Sequence, residues 1–165
     1  MTLSYTFYGN IDTDYEAWEK WIADTYEIFE ILGYHANYYG FSVENKADFK
    51  LHPITGIKRK LTNAKRKTEK IRNGCICVLP DNFRSVAFDY IITLSRCAGY
   101  ETLILNQEYK MNLDETKIIA LLRRNIHATS GEVYEMDIDD CPEFYAAKAN
   151  PGKPIQSYKK IATLE

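Results

Sequence analysis

The chain has 165 residues, 45% of them hydrophobic and 27% charged, with a formal net charge of −2. That is long enough and apolar enough for one globular domain to fold without disulfide or metal staples. No low-complexity segment or internal repeat is present, and no apolar run approaches the roughly 18 residues of a membrane span.

The small net charge conceals a sorted one. Residues 58–72 hold eight basic side chains against one acid, a local +7, and residues 132–143 hold six acids and no base, a local −6. Charge sorted in this way generates fields that steer charged partners. The first residues lack the basic and apolar regions of an export signal, so a cytoplasmic protein is expected. Its four cysteines then read as reduced thiols.

Leu3, Tyr5 and Phe7 alternate with Ser4, Thr6 and Tyr8, a strand expected to break at Gly9 and Asn10. Thr13 followed by Glu16 is a capping-box pattern. From there Tyr15, Trp18, Ile22, Tyr26, Phe29 and Leu32 recur at helical spacing up to a stop at Gly33. Aromatic and β-branched residues predict a strand between His35 and Val43. Ile54, Ile57, Leu61, Ala64, Thr68 and Ile71 then form a narrow apolar seam, predicting a cationic helix from Pro53 to Asn73 and Gly74.

Cys75 to Leu79 reads as a buried strand. Over 83–98 the helical template leaves fewer misfits than the alternating one, so a helix is preferred and a strand is the alternative. Glu101 to Gln107 is a strand, and Asp114 to His127 a helix opened by Asn112 or Asp114. Tyr134, Met136 and Ile138 alternate with Glu135, Asp137 and Asp139, predicting a strand that ends at Pro142. Residues 149–157 read as irregular, with Tyr158 to Leu164 as a possible edge strand. Helices alternating with strands imply a single α/β domain over 1–165. Its sandwich would have about four helices and a mixed central sheet, parallel wherever a helix crosses over.

Three surfaces are candidates for function. A strand through 134–139 would set Glu135, Asp137 and Asp139 on one face about 7 Å apart. Such a row is a solvated edge, a docking surface for a basic protein, or a hard-cation site through Asp137, Asp139 and Asp140. The basic block, with Lys58, Arg59, Lys65, Arg66 and Lys70, is a solvated helix face, a phosphate-tracking one, or a contact with acidic surface of this chain or of a partner. A pI near 6.0 and the lack of interleaved aromatics weigh against nucleic acid. Cys75 and Cys77 share a side of their strand without completing a zinc site, and Cys97, Cys141, His35, His52 and His127 stand apart.

Asp81 after a buried strand, with Glu108 and Lys110 after another, resembles the PD-(D/E)xK nucleases. That resemblance implies a divalent metal held by the two carboxylates and a lysine at the attacking water. The expectation is nevertheless that Asp81 caps a following helix and that the three do not converge.

In overall character, an acid-faced cytosolic α/β domain, the chain resembles the immunity proteins of bacterial polymorphic toxin systems, including contact-dependent growth inhibition. This implies a non-enzymatic protein without cofactor or metal that blocks one cognate, basic toxin. Its partner-binding residues would be Glu132, Glu135, Asp137, Asp139 and Asp140, with Tyr134 and Tyr145 as aromatic anchors.

Overall fold

A computed structural model describes residues 1–46, 49–149 and 155–165. Among them are eight strands: β1 (Thr2–Asn10), β2 (Tyr38–Val43), β3 (His52–Pro53), β4 (Ile71–Val78), β5 (Ile92–Cys97), β6 (Gly99–Asn106), β7 (His127–Met136) and β8 (Lys159–Leu164). Four α-helices accompany them: α1 (Tyr15–Leu32), α2 (Ile57–Arg66), α3 (Glu115–Arg123) and α4 (Pro142–Ala146). The strands form one sheet in the order β3-β2-β4-β5-β6-β1-β7-β8.

The α/β architecture with four helices is as expected, but the sheet is antiparallel at every pairing. The topology supplies the reason. The connection through α1 joins β1 to β2, that through α2 joins β3 to β4, and that through α3 joins β6 to β7. Each links two strands of the same direction, as a crossover must. In each case other strands lie between them, so no parallel neighbours result.

Alternation gives the sheet two unlike faces. One carries Tyr5, Phe7, Tyr39, Phe41, Ile76, Leu94, Leu103 and Val133, which join the main core. Helices α1, α2 and α3 cover it with Trp18, Trp21 and Phe29, with Ile57 and Leu61, and with Ile118 and Leu122. The other face joins a polar band to a second, smaller apolar cluster of Cys77, Leu79, Tyr90 and Ile104. Thr6, Thr102, Ser95 and Cys75 follow one another across four strands in register, and Thr6 and Thr102 share a 2.6 Å hydrogen bond. Helix α4 lies on this side, against β6 and β1.

Several boundaries differ from expectation. β1 runs through Gly9 with a bulge, because Gly9 lies so close to β7 that a Cβ there would stand 2.1 Å from the His127 carbonyl oxygen. The cap of α1 is Asp14, which accepts from Ala17 N at 2.9 Å, one residue later than the capping box predicts. The cationic helix is shorter than predicted. It ends at Arg66, Thr68 takes φ 54°, and Ile71 opens β4 opposite Val43.

The preferred helix over 83–98 is incorrect. Asp89 instead ties a loop by accepting from Arg84 N and Ser85 N, both at 2.7 Å, and Ile92 to Cys97 is a strand between β4 and β6. The hydrophobics that fit a helical face there are shared between loop and sheet. Likewise the helix predicted to His127 ends at Arg123, since His127 already pairs with Asn10 in β7. Tyr158 to Leu164 does supply an edge strand, β8. Of the irregular stretch 149–157, residues 150–154 lie outside the described ones.

Candidate functional site

The acidic block does not form a row of three. β7 ends at Met136, and residues 138–140 turn in a 3-10 helix for which Asp137 is the cap, its carboxylate accepting from Asp139 N at 3.3 Å. Glu135 stays on the strand and is neutralised there. Lys159 Nζ on β8 lies 3.2 Å away and Gln107 donates to its other oxygen, which holds its carboxyl below the usual range. Glu143, on α4, accepts from the Tyr100 hydroxyl at 3.0 Å, and burial raises its pKa.

That leaves Asp137 and Asp139 exposed at the end of β7, with Asp140 half-buried beside them. They line an open hollow of about 450 Å³ with Gln156 and Ser157. Ser157 holds its shape, accepting from Asp137 N at 2.9 Å and donating to the Asp140 carboxylate. Among the described residues no group of three acidic, histidine or cysteine side chains is arranged to hold a metal ion.

Glu132 enters a second and larger cleft of about 630 Å³, lined by Tyr8, Tyr145, Lys148, Ile155, Tyr158 and Lys160 among others. Three phenols donate to this one carboxylate: Tyr8 at 3.2 Å and Tyr145 at 3.1 Å to Oε1, and Tyr158 at 2.8 Å to Oε2. Desolvation, with the nearby carboxylate adding to it, raises the pKa of all three hydroxyls, so they remain donors. The Tyr145 and Tyr158 rings pack with centroids 4.8 Å apart. At the mouth, Lys148 Nζ sits 4.5 Å from the centroid of the Tyr8 ring.

Tyr134 is fully buried, against the expectation of an aromatic anchor. It follows Val133 in β7 and therefore faces the polar side of the sheet, where its hydroxyl donates to the Pro142 carbonyl at 3.3 Å and fastens α4. Burial raises its pKa to about 12. The expected residues thus divide into Glu132 and Tyr145 in the cleft, Asp137, Asp139 and Asp140 in the hollow, and Glu135 and Tyr134 in structural contacts. Segment 155–158 borders both cavities. Tyr8, Lys148 and Tyr158 escaped the sequence reading. Tyr8 alternates with core residues in β1, but nothing in sequence ties it to a glutamate 124 positions on.

The basic block lies at the far side of the molecule, on α2, which connects β3 and β4. Ile57, Leu61 and Ala64 are buried, while Lys58, Arg59, Lys65 and Arg66 are exposed. Among the described residues these four have no carboxylate at ion-pair distance. Beyond the helix, Arg72 pairs with Glu44 and Lys46 with Glu69.

Asp81 is exposed in the turn after β4 and caps no helix, since none follows. Glu108 lies beyond β6 in a 380 Å³ hollow with Asn82, Asp89 and Tyr109. Lys110 is exposed, its carbonyl accepting from the Tyr34 hydroxyl. β5 separates the strand ends that carry Asp81 and Glu108. All four cysteines are free. Among the histidines, His127 contacts Asp12 at 3.0 Å and His52 stacks obliquely on Tyr39.

No protein-family model matches the chain, and neither the curated proteins nor the solved structures contain a significant match to it. Among the described residues no helix is long and apolar enough to cross a membrane.

Proposed function

We propose that this is a cytoplasmic bacterial immunity protein that binds and blocks a cognate basic toxin through the β7–β8 end of its sheet. The observation that carries the reading is the pairing of two surfaces across segment 155–158. On one side the exposed Asp137 and Asp139 and the half-buried Asp140 have no basic partner among the described residues, and on the other a tyrosine-lined cleft holds Glu132. Exposed acid accelerates encounter with a cationic protein, and half-buried aromatics provide contact area at low entropic cost. The basic helix at the opposite side leaves the molecule polar along its sheet, which would orient an approaching partner.

The test is a calorimetric titration with a candidate basic toxin. Asp137→Lys with Asp139→Lys should cost only about 1 kcal/mol of stability, for the lost cap of the 138–140 turn, while weakening binding at least tenfold and slowing association at low salt. Unchanged affinity discards this surface.

A second reading, nucleic-acid binding, is favoured by the five basic residues of α2, none of which has a carboxylate at ion-pair distance among the described residues. It requires a mobility shift at low salt, with a salt dependence that falls by about one unit for each of Lys65, Arg66 and Lys70 neutralised, if each contacts a phosphate.

A further inference from the structure

The cleft around Glu132 has the parts of a receptor for a cationic side chain. Aromatic faces attract cations through their quadrupole, and the Tyr8 ring already has one at 4.5 Å, the ammonium of Lys148. Glu132 supplies the opposite charge. Its Oε1 accepts two phenols and its Oε2 one, so a carboxylate with about four acceptor sites retains one. The three hydroxyls also hold the carboxylate in one orientation at the end of a cleft of about 630 Å³.

Lys148 reaches the Tyr8 ring from an unusual backbone. It follows α4 with φ 53°, in the left-handed region that a residue with a Cβ adopts at a cost. Residues 142–147 precede it and are fastened beneath by Tyr134 and Tyr100, while Lys148 itself is exposed. A fastened helix with a strained, exposed lysine at its end gives a side chain that leaves the cleft without unfolding anything else.

We propose that Lys148 is a resident stand-in and that the cleft receives an arginine or lysine side chain of the protein partner, which displaces it. This rests on the partner-binding reading above and names the chemistry of the inserted residue. Lys148 and Lys160 bring two positive charges to the cleft against the one negative charge of Glu132. With Lys148 in place the net positive charge of the cleft opposes an added cation, and with Lys148 removed the net charge is zero and that opposition is gone.

The opposite effects of two substitutions make the proposal testable without the partner. The probe is N-acetyl-arginine amide, titrated against the full chain while the ring resonances of Tyr8, Tyr145 and Tyr158 are followed by NMR, with the neutral N-acetyl-citrulline amide as control. Saturable shifts with the arginine probe alone are expected, tightened roughly two- to fivefold by Lys148→Ala and lost in Glu132→Gln. If Glu132→Gln fails to fold, Tyr8→Leu takes its place, and it too should abolish saturation.

Equal shifts from the citrulline probe, weaker binding by Lys148→Ala, or saturation by inorganic phosphate in preference to the arginine probe would overturn the proposal. The Asp137 and Asp139 substitutions leave the cleft untouched. Loss of toxin binding in them together with a silent arginine titration would fault the cation receptor and not the docking surface.

Discussion

Arg96 and Glu101 face each other across β5 and β6, each 1% exposed, with Arg96 Nε 3.9 Å from Glu101 Oε2. At that separation their attraction is about 4 kcal/mol for an effective dielectric of 20, against a desolvation cost of several kcal/mol per ion. Burial prevails over the attraction for both, holding Glu101 well above the ordinary carboxylate value and Arg96 below the ordinary guanidinium value. The Arg96 guanidinium also lies 4.8 Å from the centroid of Trp18, and its Nη2 donates to the Asn125 carbonyl at 3.1 Å.

Arg96→Met leaves Glu101 buried without a counter-charge and should cost about 3–5 kcal/mol. Adding Glu101→Leu should recover most of that loss, to within about 1 kcal/mol of the parent. Urea unfolding of the four members of the cycle measures both effects. Because the folded pKa of Glu101 is raised, its favourable contribution is complete below about pH 4.5 and is lost as the pH rises through the folded value. The Arg96→Met penalty should therefore shrink on acidification from neutral pH. A penalty below about 1 kcal/mol at neutral pH, or a double variant as unstable as the sum of the singles, would refute the reasoning.

Two further substitutions test the frame that positions the site. Asp24, on α1, accepts from Arg124 Nε and Asn125 Nδ2, both at 2.8 Å, so Asp24→Ala should cost about 2 kcal/mol and lower the thermal midpoint. No change in midpoint would remove this clamp from the account. Gly9→Ala drives a Cβ into the His127 carbonyl and should cost about 1–3 kcal/mol. Faster hydrogen exchange in β1 and β7 is expected, and unaltered exchange would count against so close an approach.

The sequence disclosed elements whose pattern has a single interpretation. Trp18 to Leu32 recurs at helical spacing with Gly33 behind it, and α1 is where that pattern puts it. The stretch 83–98 is ambiguous in sequence because Val86, Tyr90 and Leu94 satisfy both periods. The choice is made by β4 and β6, which offer β5 a slot between them. Those long-range pairings are invisible to local spacing. The acidic block failed similarly. Alternation continues through Ile138, but Asp137 prefers to cap its own turn, so only Glu132 and Glu135 remain on the strand. The cleft was illegible because its tyrosines come from β1, from α4 and from the approach to β8, united by the sheet order alone.

The most direct test of the docking surface is an amide chemical-shift footprint, recorded on the isotope-labelled protein as an unlabelled candidate basic toxin is added. Saturating changes at 137–140 and 155–160, extending to Glu132 and Tyr145, are predicted, with α2 unperturbed. A footprint on Lys58 to Arg66 that spares the β7–β8 end would contradict the account.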